Sequence, residues 1–164
     1  MNDLKWFVAY THYKSEKKVS SRFQHKGLEV YLPMRKVKSK WSDRIKEVEF
    51  PLFTCYVFVR TTPGRLSQVA DIDGLARFLS FGNELATVKD HEIELIRKMI
   101  RDYEDVKAEP LFTAGQRIRI AKGPLCGLEG ILQKEKGKNR FLIAIEGLRQ
   151  SLSIEIPSQY LASC

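Results

Sequence analysis

The pattern of apolar residues changes abruptly at residues 105–112 (DVKAEPLF), and this change is the strongest constraint on the fold. Before this segment, short apolar runs alternate with stretches of helical periodicity. After it, only short strand-like runs occur, and glycine and lysine clusters separate them. Pro110 lies inside the segment, where it interrupts regular structure. The sequence therefore predicts an α+β domain over residues 1–104, a linker over 105–112 and a small β-barrel over 113–164.

The first predicted domain alternates strands and helices. Aromatic and β-branched residues favour strands, and apolar residues four apart, such as Val19 and Phe23, favour a helix with one buried face. Gly27 fits the C-terminal cap of that helix, and Asp90 fits the N-cap of a later helix. The predicted order is a strand over 5–11, a helix over 14–26, a strand over 28–32, a polar hairpin over 35–49, a strand over 50–60, a helix over 62–70, a strand over 76–81 and a helix over 91–103.

Positive charge is concentrated near the N-terminus. The chain holds 28 lysines and arginines against 20 aspartates and glutamates, and residues 1–60 contain 13 of the basic and only 6 of the acidic residues. On the first predicted helix, Lys14, Lys18 and Arg22 follow one another at intervals of four and so form a row. Such a row indicates a surface for a polyanion, although a solvated helix face without a partner has the same pattern.

Several classes of protein find no support in the sequence. No apolar run approaches the roughly 18 residues of a membrane-spanning helix, and the N-terminus lacks the pattern of a secretory signal. Three cysteines without a CxxC pair fit a reducing cytoplasm better than disulfides or zinc. The three histidines have no partner at the spacing of a catalytic triad or a metal site. We therefore expect a cytoplasmic monomer with no membrane contact, no enzymatic activity, no cofactor and no metal.

A glycine pattern marks the second predicted domain. The segment 114–133, AGQRIRIAKGPLCGLEGILQ, places Gly123, Pro124 and Gly127 between a basic strand and an apolar strand, and Gly130 inside the apolar strand. Glycine permits a tight turn, and a glycine inside a strand suggests a close approach of backbones. The segment resembles the KOW motif of small SH3-like five-stranded barrels in transcription and ribosomal proteins. Strands are predicted over 116–121, 128–133, 141–145 and 152–156, in a barrel and not a helical hairpin.

The first domain has a family resemblance of its own. WFVAYT near the start, GLEVYLP after the basic helix, FPLFTCYVFV before a short helix and the terminal amphipathic helix resemble, in order and spacing, the N-terminal (NGN) domain of NusG-type transcription elongation factors. PLFTCYVFV and RFLSFG are more similar to specialised antitermination paralogues of the RfaH and UpxY kind. The resemblance implies an α/β sandwich-like NGN domain, a KOW barrel and an operon-specific factor that suppresses pausing and termination.

The resemblance also implies two contacts with RNA polymerase. In the family, an apolar pocket of this domain grips the tip of the clamp helices, and aromatic side chains suit such a contact because they bury a large area at low entropic cost. The matching positions are Tyr10, Phe53, Tyr56, Phe81, Ile93 and Ile96. Residues of these types are also typical of a core. A second contact corresponds to the start of the helix after the central strand, where Ser67 and Gln68 keep a polar character.

A nucleic-acid contact and a partner for the barrel follow from the same resemblance. In RfaH-like proteins the basic helix face meets the non-template DNA strand, and the matching residues here are His12, Tyr13, Lys14, Lys18 and Arg22. Asp73 stands where the family has a basic residue in its base pocket, so we expect a different sequence preference. The barrel of such factors recruits a small-subunit ribosomal protein or Rho. The competing hypothesis is a ribosome-associated or RNA-binding KOW module.

Overall fold

Two compact units, Met1–Arg97 and Lys98–Cys164, make up the chain in the computed structural model, which describes residues 3–111 and 115–163. The first unit mixes helices and strands, and its last helix runs across the boundary. Its elements are β1 (Lys5–Thr11), α1 (Glu16–His25), β2 (Glu29–Tyr31), β3 (Met34–Lys40), β4 (Ile45–Pro51), β5 (Tyr56–Thr61), α2 (Pro63–Leu66), β6 (Leu75–Phe78), β7 (Ser80–Phe81), β8 (Glu84–Leu85), β9 (Thr87–Val88) and α3 (Asp90–Asp102).

An antiparallel sheet in the order β2-β5-β1-β6, with β9 also paired to β1, forms the centre of the first unit. Because side chains alternate along a strand, one face of the sheet carries the buried residues Phe7, Val57 and Val59. They share one core with Val19 and Phe23 of α1. The four-residue spacing of those two residues therefore does place one face of α1 on the sheet, as the sequence predicts.

The opposite face of the sheet contacts α3. The indole N–H of Trp6 donates to the carboxylate of Asp90 at 3.0 Å. The guanidinium of Arg97 lies 4.7 Å from the centre of the Tyr31 ring. Trp6 and Tyr31 both point away from the core shared with α1, since they alternate with residues of that core. The sheet therefore has a helix against each face.

The structure divides the strand predicted over residues 50–60 in two. β4 ends at Pro51, whereas β5 begins only at Tyr56. Between them the chain turns, and Cys55 has a left-handed backbone with a φ of 66°. The Cys55 N–H donates to the carboxylate of the buried Glu16 at 2.9 Å, which stabilises the turn. The sequence did not reveal the turn because apolar residues continue through it.

The start of α3 differs in detail from the prediction. Asp90 is the first residue of the helix and not its N-cap. Lys89 stands at the cap position, and its backbone N–H donates to the Glu92 carboxylate at 2.9 Å. Glu92 is buried and lies three residues after the cap, where a capping box places its acidic residue. The carboxylate of Asp90 is left to accept the bond from Trp6.

The predicted polar hairpin is confirmed, because β3 and β4 pair with each other along their whole length. The pairing runs from Met34 opposite Pro51 to Lys40 opposite Ile45. The residues at 36–38 and 40–47 are exposed. The hairpin is thus a separate two-stranded sheet whose outer part lies in solvent.

The second unit contains a six-stranded antiparallel sheet, whereas the sequence predicts four strands and the resemblance implies a five-stranded barrel. Its strands are β10 (Lys107–Pro110), β11 (Gln116–Ile120), β12 (Glu129–Glu135), β13 (Lys138–Ile145), β14 (Gln150–Glu155) and β15 (Leu161–Ser163), in the order β10-β14-β13-β12-β11-β15. Within residues 3–111 and 115–163, no helix has the length and apolar character needed to cross a membrane.

Residues 105–112 are not the simple linker that the sequence predicts. They contain β10, which pairs with β14 at one edge of the second sheet. Asp105 binds the guanidinium of Arg140 at 2.8 Å. Pro110 is tolerated because it ends an edge strand, where a missing N–H removes little from the ladder. Residues 112–114, which complete the predicted linker and open the predicted barrel, lie outside the described residues.

Candidate functional site

Three residues, Tyr56, Tyr10 and Arg77, lie side by side on β5, β1 and β6, and we call them the aromatic row. The two tyrosine rings meet edge to face with their centres 5.9 Å apart. The guanidinium of Arg77 lies 5.3 Å from the centre of the Tyr10 ring. Both tyrosines are only half-buried. The row therefore offers aromatic area next to a positive charge, which suits a protein element that combines apolar and acidic groups.

Three of the residues predicted to face RNA polymerase lie in the core instead. Phe53, Ile93 and Ile96 are 2%, 1% and 0% exposed, so none of them is available to a partner. The ring of Phe53 stacks on that of Tyr56, with centres 6.5 Å apart, and therefore supports the row from within. The prediction failed at these positions because an apolar residue in a strand or on one face of a helix is usually a core residue, and its type does not show whether it reaches the surface.

The other predicted polymerase contacts are accessible. Phe81 is half-buried in the hairpin of β7 and β8. Ser67 and Gln68 are exposed in a single 3-10 turn that follows α2, and the Ser67 hydroxyl donates to the carbonyl of Gly64 at 3.3 Å. Because this turn follows the end of β5 that is opposite to Tyr56, the polar pair and the aromatic row are separate surfaces of the first unit.

A tight turn ahead of α1 presents His12, Tyr13 and Lys14, all of which are exposed. The Ser15 N–H donates to the His12 carbonyl at 3.0 Å, and Lys14 has a left-handed backbone with a φ of 60°. The Tyr13 ring is 72% exposed, and the Lys14 ammonium lies 5.4 Å from its centre. A flat exposed ring beside a cation suits a nucleic-acid base and its phosphate.

The predicted basic row is broken at both ends. Since α1 begins at Glu16, Lys14 does not belong to the helix and does not align with Lys18 and Arg22. The Arg22 guanidinium donates to the backbone carbonyl of Asp73 and forms an ion pair with the Asp73 carboxylate at 3.2 Å. Lys18 and Arg22 keep the predicted four-residue spacing on the helix, but the Arg22 guanidinium is paired with Asp73, whereas the Lys18 side chain is exposed.

A shallow groove of about 520 Å³ lies beside this ion pair. Its lining is of mixed charge and comprises Arg22, His25, Lys26, Asp71, Ile72 and Asp73. The two aspartates offset part of the positive charge of the helix. Asp73, which stands where the family has a basic residue, therefore has a structural consequence. Its carboxylate forms an ion pair with the Arg22 guanidinium and so reduces the availability of that guanidinium to a partner.

The glycine segment of the second unit forms a loop between β11 and β12. Gly123 and Gly127 both have positive φ angles, of 88° and 89°, which other residues adopt only with strain. Gly130, within β12, lies so close to β13 that a Cβ atom would collide with the ring of Phe141. Pro124 is exposed in the loop. The glycines thus form the turn and the close approach that their spacing predicts.

Two ionisable groups in the described part of the first unit have a raised pKa. Burial raises the pKa of Tyr31 to about 12, against the opposing effect of the Arg97 charge. Burial, followed by the Glu16 carboxylate, raises the pKa of the Cys55 thiol, so that this thiol stays protonated and is a poor nucleophile. In the part of the chain that the structure describes, no cluster of three or more histidine, cysteine or acidic residues could hold a metal ion.

Arg77 is the member of the aromatic row that the sequence analysis missed. It lies opposite Tyr10 only because of the register between β1 and β6, and this register shifts between Tyr10 and Thr11. No spacing within the sequence reports which residue of one strand faces which residue of a distant strand. The signal appears only when the sheet is assembled.

Comparison with known proteins identifies one family. The family described as NusG, transcription termination factor nusG, matches residues 4–97, more than half of the chain. The chain belongs to the NusG family. A solved structure of Thermotoga maritima NusG is 21% identical, with 98% of this chain and 97% of that chain covered and a TM-score of 0.60. The MjSpt4:Spt5 complex is 16% identical over 96% of each chain, with a TM-score of 0.35. No curated protein matches the sequence significantly.

Membership of the NusG family makes this chain a transcription elongation factor. Factors of this family work with RNA polymerase and are not enzymes. The likeness to T. maritima NusG shows a shared mixed α and β fold, with many strands arranged in sheets.

Proposed function

We propose that this NusG-family protein is an operon-specific antitermination factor of the RfaH and UpxY kind, acting in the cytoplasm. In this proposal it binds the clamp helices of RNA polymerase and the non-template DNA strand, and so suppresses pausing and termination. The observation that carries the proposal is the aromatic row, in which Tyr10 and Tyr56 are half-buried and meet edge to face. A rigid aromatic surface binds with little loss of side-chain entropy.

The row suits a helical tip that carries both apolar and acidic side chains. The tyrosine rings would bury their exposed area against the apolar residues of such a tip. Arg77, beside Tyr10, would face the acidic ones. Phe53 would act indirectly, because its ring fixes that of Tyr56 from the core side. Phe81 would extend the contact from the neighbouring hairpin.

The DNA contact in this proposal comes mainly from the turn before α1. Tyr13 would stack on a base of the non-template strand, and Lys14 and Lys18 would contact its phosphates. Arg22 would contribute less, because it is bound to Asp73. On the other side of the DNA channel, the exposed pair Ser67 and Gln68 would form a second polymerase contact. Two contacts across the channel would favour the closed, processive state of the polymerase.

The second unit would recruit a further partner, either a small-subunit ribosomal protein or Rho. It would do so through the domain that resembles a KOW barrel, whose proposed extent is residues 113–164. The proposed extent of the polymerase-binding domain is residues 1–104. Measuring how the isolated ribosomal protein and isolated Rho each bind to the full chain would decide which of them is the partner.

The test is binding of the full-length protein to core RNA polymerase, followed by a pausing assay. Tyr10→Ala should weaken polymerase binding by about 2 kcal/mol, or roughly 30-fold, because it removes an aromatic anchor. Tyr13→Ala is the matched control, since it removes an exposed tyrosine from a different surface. It should leave polymerase binding unchanged and weaken crosslinking to the non-template strand. Equal effects of the two variants on polymerase binding would reject the row as the docking surface.

A further inference from the structure

The tip of the β3–β4 hairpin combines an exposed indole with clustered positive charge. We call residues 40–46 the hairpin tip. Trp41 is 52% exposed, and the Lys46 ammonium lies 5.3 Å from the centre of its ring. The backbone of Trp41 is fixed, because its N–H donates to the carbonyl of Arg44 at 2.8 Å. The indole is therefore held at the end of the ribbon and not buried by the rest of the first unit.

The charge excess of the hairpin is located at this tip. Lys40, Arg44 and Lys46 are basic there, and Asp43 is the single acidic residue of the tip. Nearer the base of the hairpin, Lys36 forms an ion pair with Glu47 at 3.2 Å, so positive charge is balanced along the strands. The tip thus attracts negative charge, whereas the strands that carry it are close to neutral.

We propose that the hairpin tip is a nucleic-acid contact in which Trp41 stacks on an unpaired base. Arg44 and Lys46 contact the phosphates on either side of that base. An exposed aromatic ring flanked by cations is the combination that single strands and the open ends of duplexes bind, because every base has a face for stacking and a phosphate next to it. The proposal goes beyond the proposed function, since the tip is separate from both the aromatic row and the turn before α1 and needs no polymerase.

The chain provides its own reporter for the test. It has two tryptophans, and Trp6 is 4% exposed in the core whereas Trp41 is at the surface. Intrinsic fluorescence of the full-length protein is titrated with a single-stranded oligonucleotide, a forked duplex and a blunt duplex at low salt. We expect quenching by the single strand and the fork, and little by the blunt duplex. Trp41→Phe should abolish the quenching, because the buried Trp6 alone remains.

Affinity for the labelled single strand is measured in parallel by fluorescence anisotropy. Trp41→Ala should weaken binding about tenfold, as expected for the loss of one stacked base. Ile45→Ala is the matched control, because Ile45 is 70% exposed at the same tip and lies one residue from Lys46. It should leave the affinity unchanged. The double variant Lys14→Ala, Lys18→Ala should weaken the proposed DNA contact of α1 and the turn before it without removing the Trp41 quenching, which separates the two surfaces.

Four results would overturn the proposal. Quenching by none of the three nucleic acids would exclude the contact. Equal quenching by the blunt duplex would exclude stacking on an unpaired base. Equal quenching by polyglutamate would show a general attraction for negative charge. Equal losses of affinity for Trp41→Ala and Ile45→Ala would show that the indole has no specific role.

Discussion

The two faces of the central sheet are made by the same strands but differ in what they bury. The face against α1 is closed by tightly packed apolar side chains, and Phe23 and Val59 are fully buried there. On the other face, Val8 and Phe58 are just as buried and α3 contacts the sheet through the hydrogen bond to Trp6 and a stacked guanidinium, but the aromatic row at one end of the strands remains half-buried. Because side chains alternate along a strand, a single sheet provides one face for stability and another that serves both stability and binding.

The side chains of the aromatic row contact one another closely. Tyr10 is held on one side by the ring of Tyr56 and on the other by the guanidinium of Arg77. Phe53, in the core, fixes Tyr56 in turn. A partner that covers these rings would therefore not have to order them first, and this saves free energy on binding. The faces therefore differ in the area that they leave accessible to a partner.

The substitution with the largest expected effect tests how much each face of the sheet contributes to the stability of the fold. Phe23→Ala should lower the free energy of unfolding by about 3–5 kcal/mol, because it removes a fully buried ring and leaves a cavity. Tyr10→Ala should cost less than half as much, since part of its ring is already in water. Urea denaturation of the full-length variants, followed by circular dichroism, measures both values.

The control for this pair is Val59→Ala, on the same face as Phe23 and also fully buried. It should cost less than Phe23→Ala, because it removes a smaller side chain. If Tyr10→Ala destabilised the protein as strongly as Phe23→Ala, the aromatic row would be a structural core and the distinction between the faces would be wrong.

Much of the fold could be predicted from the sequence because its signals are local. The polar hairpin, the helix that packs through Val19 and Phe23, and the glycine turn before Gly130 all follow from periodicity or from the special backbone of glycine. The turn at Cys55 could not be predicted in this way. It is stabilised by the carboxylate of Glu16, far away in the sequence, and most of its own residues are apolar.

The candidate site was less predictable, because residue type does not report exposure. Tyr10 and Phe53 are both aromatic residues of the same sheet region, yet one is half-exposed and the other is 2% exposed. Arg22 shows the same problem for charge, since only the folded chain brings it to Asp73. Strand register and long-range ion pairs decide which side chains are available, and neither is encoded in spacing along the chain.

A smaller effect is expected at the turn that leads into the aromatic row. Cys55→Gly should raise the free energy of unfolding by about 1 kcal/mol, because glycine adopts the left-handed backbone without strain. Thr54→Gly is the matched control at the adjacent exposed position, and it should not stabilise the protein, since there glycine only adds freedom to the unfolded chain. Thermal unfolding of both variants measures the difference.

Polymerase binding by Cys55→Gly should stay unchanged, because the Cys55 N–H can still donate to Glu16 and position β5. A loss of stability in this variant would show that the cysteine side chain contributes more packing than its backbone conformation costs. The Cys55 side chain would then be a packing residue of the core, and the turn would not be a separate feature that only positions β5.

The smallest expected effect concerns Tyr31, whose ring lies under the guanidinium of Arg97, and it appears only at alkaline pH. Burial raises the pKa of Tyr31 to about 12, whereas in an unfolded chain the phenol loses its proton at about pH 10. Below that pH both states hold the proton, so this group adds no pH dependence. Between about pH 10 and 12 the unfolded state has lost the proton that the folded state retains, and the free energy of unfolding falls.

Tyr31→Phe should therefore show a shallower fall in the free energy of unfolding at alkaline pH than the unsubstituted protein. The two proteins share all other ionisable groups, so these groups serve as an internal control. Parallel curves from pH 8 to 12 would mean that Tyr31 is solvated, and α3 would then not cover this face of the sheet as closely as the Arg97 contact indicates.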